Sequence, residues 1–141
     1  MTYPAFVPTV RPAVLPRLRR AALGALLGAL PLLASALTVA PYSAQALAEA
    51  QKAGQPVAVH FHASWCPTCR AQDKVFDALK ADPSLKVTLM EVDYDTEKAL
   101  ERQLKVTAQS TLIVLHGATE RSRSTGETDP ARLKRILQSA G

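Results

Sequence analysis

The only two cysteines of the chain stand three positions apart, in Trp65-Cys66-Pro67-Thr68-Cys69. They fall where an apolar stretch, Val57 to Phe61, gives way to a helix-forming one. The first reads as a short strand. Pro67 suits the first turn of a helix, where a missing N–H costs nothing. Cys66 therefore sits at the mouth of the helix and Cys69 one turn inside it. A bridge between them closes too short a loop to staple a fold, and two cysteines exclude a multi-bridge scaffold. Chemistry or metal binding accounts for such a pair better than stapling does. The unpaired N–H groups at a helix start stabilise a thiolate on Cys66. Cys69 lies close enough to attack a mixed disulfide formed there, so the pair holds both halves of a thiol–disulfide exchange cycle.

The remaining elements follow from capping residues, turn residues and apolar spacing. Ser43 caps a helix over Ala44 to Ala53, which Gly54 and Pro56 stop. The helix after Cys66 runs to about Ala81, with Val75, Phe76 and Leu79 as its buried stripe. Leu85 to Val92 forms a strand, and a short helix starts at Asp95 or Thr96 and ends at Leu104. Leu112 to Leu115 and Glu120 to Ser124 form two strands around a turn at Gly117. A terminal helix from Pro130 to Ser139 turns Leu133, Ile136 and Leu137 inward. The order α-β-α-β-α-β-β-α predicts an α/β fold, a central mixed sheet flanked by helices on both faces.

Residues 21–40 contain no charged side chain and follow the basic stretch Pro16-Arg17-Leu18-Arg19-Arg20. That is the pattern of an export signal, with the rest of the chain delivered across the membrane. Ala34-Ser35-Ala36 offers small residues at both cleavage positions; Thr38-Val39-Ala40 fits less well. Ala44-Gln45-Ala46 fits too, at the cost of the first helix. An uncleaved anchor is the alternative, since twenty uncharged residues just span a bilayer. The expected division is a signal peptide or membrane anchor over 1–40 and one domain over 41–141, exported to the periplasm or another extracytoplasmic space.

The formal charge of +5 is concentrated at the front. Four of the seventeen basic residues precede residue 21 and no acid does, which leaves thirteen against twelve acids beyond residue 40. With no basic face and few aromatics, no nucleic-acid partner is expected. Phosphate-binding loops, zinc-protease helices and Ser-His-Asp patterns are absent. Asp93 and Asp95 lack the spacing of a calcium loop and read as helix caps. Asp73 and Lys74 read as solvated helix residues, and His116 as a surface residue.

The block Val57-Ala58-Val59-His60-Phe61, Ala63-Ser64-Trp65-Cys66-Pro67-Thr68-Cys69-Arg70, Glu91-Val92-Asp93 and Thr111 to Leu115 resembles the thioredoxin-like family over roughly residues 43–139. The Trp-Cys-Pro-Thr-Cys form is similar to the exported reductase domains of transmembrane disulfide relays. The resemblance implies a protein thiol–disulfide oxidoreductase with Cys66 as exposed nucleophile and Cys69 as resolving thiol. It implies substrate contacts from Trp65, Pro67, Thr68, Gln109, Ser110 and Thr111, and no resident cofactor or metal. Partners would be protein cysteines or disulfides, and a membrane protein relaying electrons.

Two positions depart from the family pattern. His60 replaces a buried carboxylate six residues before the first cysteine, where a neutral imidazole can serve as base or proton relay. A structural role and a metal-ligand role remain open for it. Ser110 replaces the proline whose preceding peptide bond is cis in the family. A cis bond before serine costs several kcal/mol more than one before proline, which predicts a trans bond or a reshaped loop.

His60 and His62 share one face of their strand. If the cysteines meet that face, the four side chains make a Cys2His2 set competent for zinc or copper. A metal chaperone thus stands beside the reductase reading, and a dithiol oxidase beside both.

Overall fold

The computed structural model describes residues 37–141. Its elements are β1 (Leu37–Pro41), α1 (Ala44–Lys52), β2 (Pro56–His62), α2 (Pro67–Leu79), β3 (Val87–Asp93), α3 (Lys98–Leu104), β4 (Thr111–His116), β5 (Thr119–Thr125) and α4 (Pro130–Gln138). The five strands form one sheet in the order β1-β3-β2-β4-β5. β1 and β2 run parallel to β3, whereas β4 is antiparallel to both β2 and β5. The mixed sheet and the helices agree with the expected fold.

β2 is paired on both sides, and its alternation divides the core. Val57, Val59 and Phe61 face a layer with Leu47 and Ala50 of α1 and Leu100 of α3. Ala58 faces the other layer, with Phe76 of α2 and Leu133 and Leu137 of α4. His60 takes the same side as Ala58, because side chains two apart share a face. Helices thus cover both faces of the sheet. The expected stripe of α2 is centred on Phe76, which is fully buried, while Val75 and Leu79 are partly so. In α4, Leu133 and Leu137 are buried and Ile136 packs at the margin.

β1 is the element the sequence reading lacks. Its residues close the apolar run that was expected to act only as an address. Leu37 is buried in the core and Val39 packs beside it. The strand pairs with β3 from Leu37 opposite Val87 to Pro41 opposite Glu91. Pro41 is tolerated because β1 lies at the sheet edge and the proline ends it. The folded unit therefore begins before residue 41, at least as early as Leu37. The address expected over residues 1–36 lies outside the described residues. Among the described residues, no helix is long and apolar enough to cross a membrane.

Candidate active site

The site is assembled where β2 delivers its chain into α2. Cys66 is the N-cap residue of α2, with Pro67 in the first turn. Its extended backbone (φ −80°, ψ 115°) leaves the Sγ over the helix end, where it accepts a hydrogen bond from the Cys69 N–H at 3.1 Å. A sulfur thus performs the capping that a serine or aspartate oxygen usually performs. Both cysteines are buried free thiols, packed with Ala63 and bordered by Tyr94. Burial, reinforced by the Cys66 thiol beside it, pushes the Cys69 thiol up to about 11. Cys69 is therefore a protonated inner thiol at neutral pH, and Cys66 carries the Sγ presented to the helix N–H.

Among the described residues, Trp65 is the large apolar side chain left exposed, at 56% of its free surface. Its indole N–H donates to Asp95 at 2.8 Å, which holds the ring beside the cysteines. Asp95 was expected as a helix cap. It instead anchors the tryptophan, while Asp93 accepts the Asp95 N–H at 2.8 Å and fixes that turn. α3 starts later than expected, at Lys98, since this turn occupies the intervening residues. Pro67 is exposed and Thr68 half-buried at the same end of α2. Arg70 donates to the Ser64 carbonyl at 3.1 Å and so closes the turn before the cysteines.

The segment Gln109-Ser110-Thr111 lies against the end of β2. The Ser110 N–H donates to the Phe61 carbonyl at 2.8 Å. No peptide bond among the described residues is cis; Ser110 instead adopts φ +56°, in the left-handed region. Non-glycine residues rarely occupy that region. Three contacts hold Ser110 there: its Oγ donates to the Gln109 carbonyl at 2.6 Å, and its own carbonyl accepts from Gly126 N at 3.0 Å and from the Gln72 amide at 3.1 Å. The expected trans bond and reshaped loop are both present. Thr111 donates to the Ala108 carbonyl at 2.7 Å and contacts the Thr125 hydroxyl at 2.9 Å.

His60 is fully buried, and burial pulls its imidazole down to about 4, so it is neutral near pH 7. Its Nε2 lies 2.8 Å from Gln72 Oε1. The Gln72 amide nitrogen donates to the Ser110 and Glu127 carbonyls, at 3.1 and 2.9 Å. Those two bonds orient the amide, so its oxygen faces His60 and the proton of the imidazole sits on Nε2. His60 Nδ1 is buried without a hydrogen-bond partner. Gln72 is the residue that sequence reasoning missed. It joins β2, the Ser110 loop and the segment before α4, and its position one turn past Cys69 was the available signal.

The alternative Cys2His2 cluster is not assembled. His62 turns to Asp73, with Nε2 3.1 Å from the carboxylate, and its Nδ1 lies 3.9 Å from Glu91. Asp73 is thereby drawn in from the solvated position expected for it. Among the described residues, the group of His, Cys, Asp and Glu side chains whose ligand atoms converge is His60, Asp73 and Glu91, without either cysteine. The cysteines sit at the tip of the strand–helix junction, whereas the histidines point down the face that α2 covers. His116 is half-buried rather than a free surface residue, and its Nδ1 contacts the Ala140 carbonyl at 2.7 Å, tying β4 to the end of α4.

Proteins of similar sequence and fold are known. The thioredoxin family matches residues 38–139. A solved structure of Trxlp from Edwardsiella tarda is 40% identical, with a TM-score of 0.68, over 71% of this chain and 98% of that one. The bifunctional thioredoxin reductase/thioredoxin of Mycobacterium leprae is 27% identical over 72% of this chain and 22% of its own length. A thioredoxin H-type of Chlamydomonas reinhardtii is 33% identical over 48% of this chain and 60% of its own. The chain thus spans about a fifth of the first of these curated relatives and three fifths of the second. This chain belongs to the thioredoxin family.

Proposed function

We propose that the chain is an exported thiol–disulfide oxidoreductase that reduces disulfides in protein clients. The observation that carries this reading is the pairing of Cys66, capping α2 through its sulfur, with the buried thiol of Cys69 one turn on. The Cys66 thiolate attacks one sulfur of a client disulfide, forming a mixed disulfide and releasing the first client thiolate, which takes a proton. Cys69 then loses its proton and attacks the Cys66 sulfur. The second client thiol leaves, and a Cys66–Cys69 disulfide remains. The client gains two electrons and the enzyme loses two, which a dithiol donor on the same side of the membrane must return.

The surroundings support these roles. Trp65 offers an exposed apolar surface to the client. Gln109 and Thr111 flank the loop that an extended client chain would meet. Because burial holds Cys69 protonated, the release step speeds up as pH rises. His60 has no hydrogen bond through Nδ1 and gives Nε2 to Gln72. A relay through it would therefore run by way of a water or a moved side chain.

Export rests on the uncharged run 21–40 behind four arginines. Cleavage after Ala36 leaves β1 whole, whereas cleavage after Ala40 removes most of it and cleavage after Ala46 cuts into α1 as well. Sequencing the N-terminus of exported protein should therefore read Leu37 first; Pro41 or Leu47 would refute that placement. An unprocessed chain held in the membrane fraction would favour a tethered relay component.

Redox titration of the purified chain against dithiothreitol tests the direction. A potential near about −270 mV supports an electron-donating reductase. One near about −120 mV would make the protein a client oxidase instead.

A further inference from the structure

We propose that His60, Asp73 and Glu91 form a binding site for a divalent metal ion of the zinc type, separate from the cysteine pair. One nitrogen of His60 and one oxygen of each carboxylate all lie within 4.8 Å of one another. The three come from different elements: His60 from β2, Glu91 from its partner position on β3, and Asp73 from α2.

The second, independent observation is the orphaned imidazole nitrogen. Gln72 fixes the proton of His60 on Nε2, so Nδ1 carries a bare lone pair. That atom is buried and has no partner. Leaving such an acceptor unsatisfied is costly. The neighbouring groups do not relieve it, because carboxylates are acceptors too. A bare imidazole lone pair on a histidine grouped with two carboxylates is what a cation requires.

The spacing and access also fit. Ligand atoms about 2.0–2.1 Å from a tetrahedral zinc are about 3.3 Å apart. Closing the remaining gap needs small turns of Asp73 and Glu91, whose side chains are 35% and 44% exposed and free to adjust. His62 already draws both inward, from 3.1 and 3.9 Å. A metal would take the inner oxygens and leave His62 as a partner orienting Asp73, a usual outer arrangement around metal carboxylates. A cavity of about 220 Å³ between α2 and the β1–β3 edge, bordered by Val39, Asp73, Phe76 and Glu91, provides the entry path. Lys80 also borders it, but its ammonium is paired with Asp77 at 2.6 Å. One imidazole and two carboxylates leave a fourth position open, and this donor set suits zinc or cobalt rather than copper(I).

The test removes the thiols, which bind zinc themselves. Full-length protein carrying Cys66→Ser and Cys69→Ser is stripped with chelator and titrated with zinc by calorimetry and with cobalt by absorption. The expected result is one ion per chain and cobalt d–d bands without thiolate charge transfer. Asp73→Asn and Glu91→Gln should each weaken binding at least about tenfold, without changing the circular dichroism of the metal-free protein. His116→Ala, at the opposite end of the sheet, should leave the affinity unchanged. Absence of binding at millimolar zinc would overturn the proposal, as would binding indifferent to both carboxylate variants. Since no thiol is present, either outcome is independent of the redox reading.

Discussion

The two faces of β2 carry opposite kinds of side chain. Toward α1 and α3 the strand shows Val57, Val59 and Phe61, all buried in an apolar layer. Toward α2 it shows Ala58, then His60 and His62, with Gln72, Asp73 and Glu91 closing around them. The first face gains stability from burying apolar surface, at about 25 cal/mol per Å². The second gives up part of that gain to hold neutral and charged polar groups under the helix that bears the cysteines. One face anchors the strand along its length; the other anchors it through Ala58 and carries polar groups beyond.

Substitutions on the two sides should separate stability from activity. Cys66→Ser should reduce insulin-disulfide turnover to the uncatalysed rate while the melting temperature barely moves. Cys69→Ser should instead accumulate mixed disulfides on non-reducing gels. A Cys69 variant with full turnover would remove the two-cysteine cycle. Phe61→Ala, on the apolar face, should cost about 3–5 kcal/mol in urea denaturation. Its redox potential should stay near that of the parent, and a large change would mean that the two faces are not separable.

Acid provides the third contrast. His60 titrates at about 4 in the folded chain, against 6.5 when free. The unfolded chain therefore takes up the proton first as pH falls. The stability that the neutral buried imidazole contributes is complete above about pH 6.5 and is lost as pH drops through 4. The loss should reach about 3 kcal/mol by pH 4 in metal-free buffer. Denaturant melts at stepped pH would show it, and a His60→Leu variant should flatten that slope. A slope unchanged in the variant would place the acid sensitivity elsewhere. The smallest effect is expected at the rim. Asp95→Asn weakens a single exposed contact to the Trp65 indole, worth at most about 1 kcal/mol, with a slight rise in KM for protein disulfides.

Much of this arrangement was legible in the residues. Cys66 before Pro67 placed a helix start, and Cys69 one turn on placed the second thiol inside it. The periodicity of α2 and α4 located Phe76, Leu133 and Leu137. Three features were not legible, each for a physical reason. β1 was hidden because an apolar run reads alike as leader and as edge strand until its pairing with β3 is known. Gln72 looked like an ordinary helix residue, since the partners it joins lie 12 to 55 positions away along the chain. The Cys2His2 grouping failed because strand periodicity assigns a face but not a distance along it.

By itself the sequence determined that a dithiol would stand at a helix start on a mixed sheet, because capping, proline and alternation act within a few residues. Only the tertiary structure decided the company of each polar group. It gave His60 to Gln72, His62 to Asp73 and Glu91, and Trp65 to Asp95. Those pairings depend on how β2, β3 and α2 pack, and packing joins residues that local preference cannot relate.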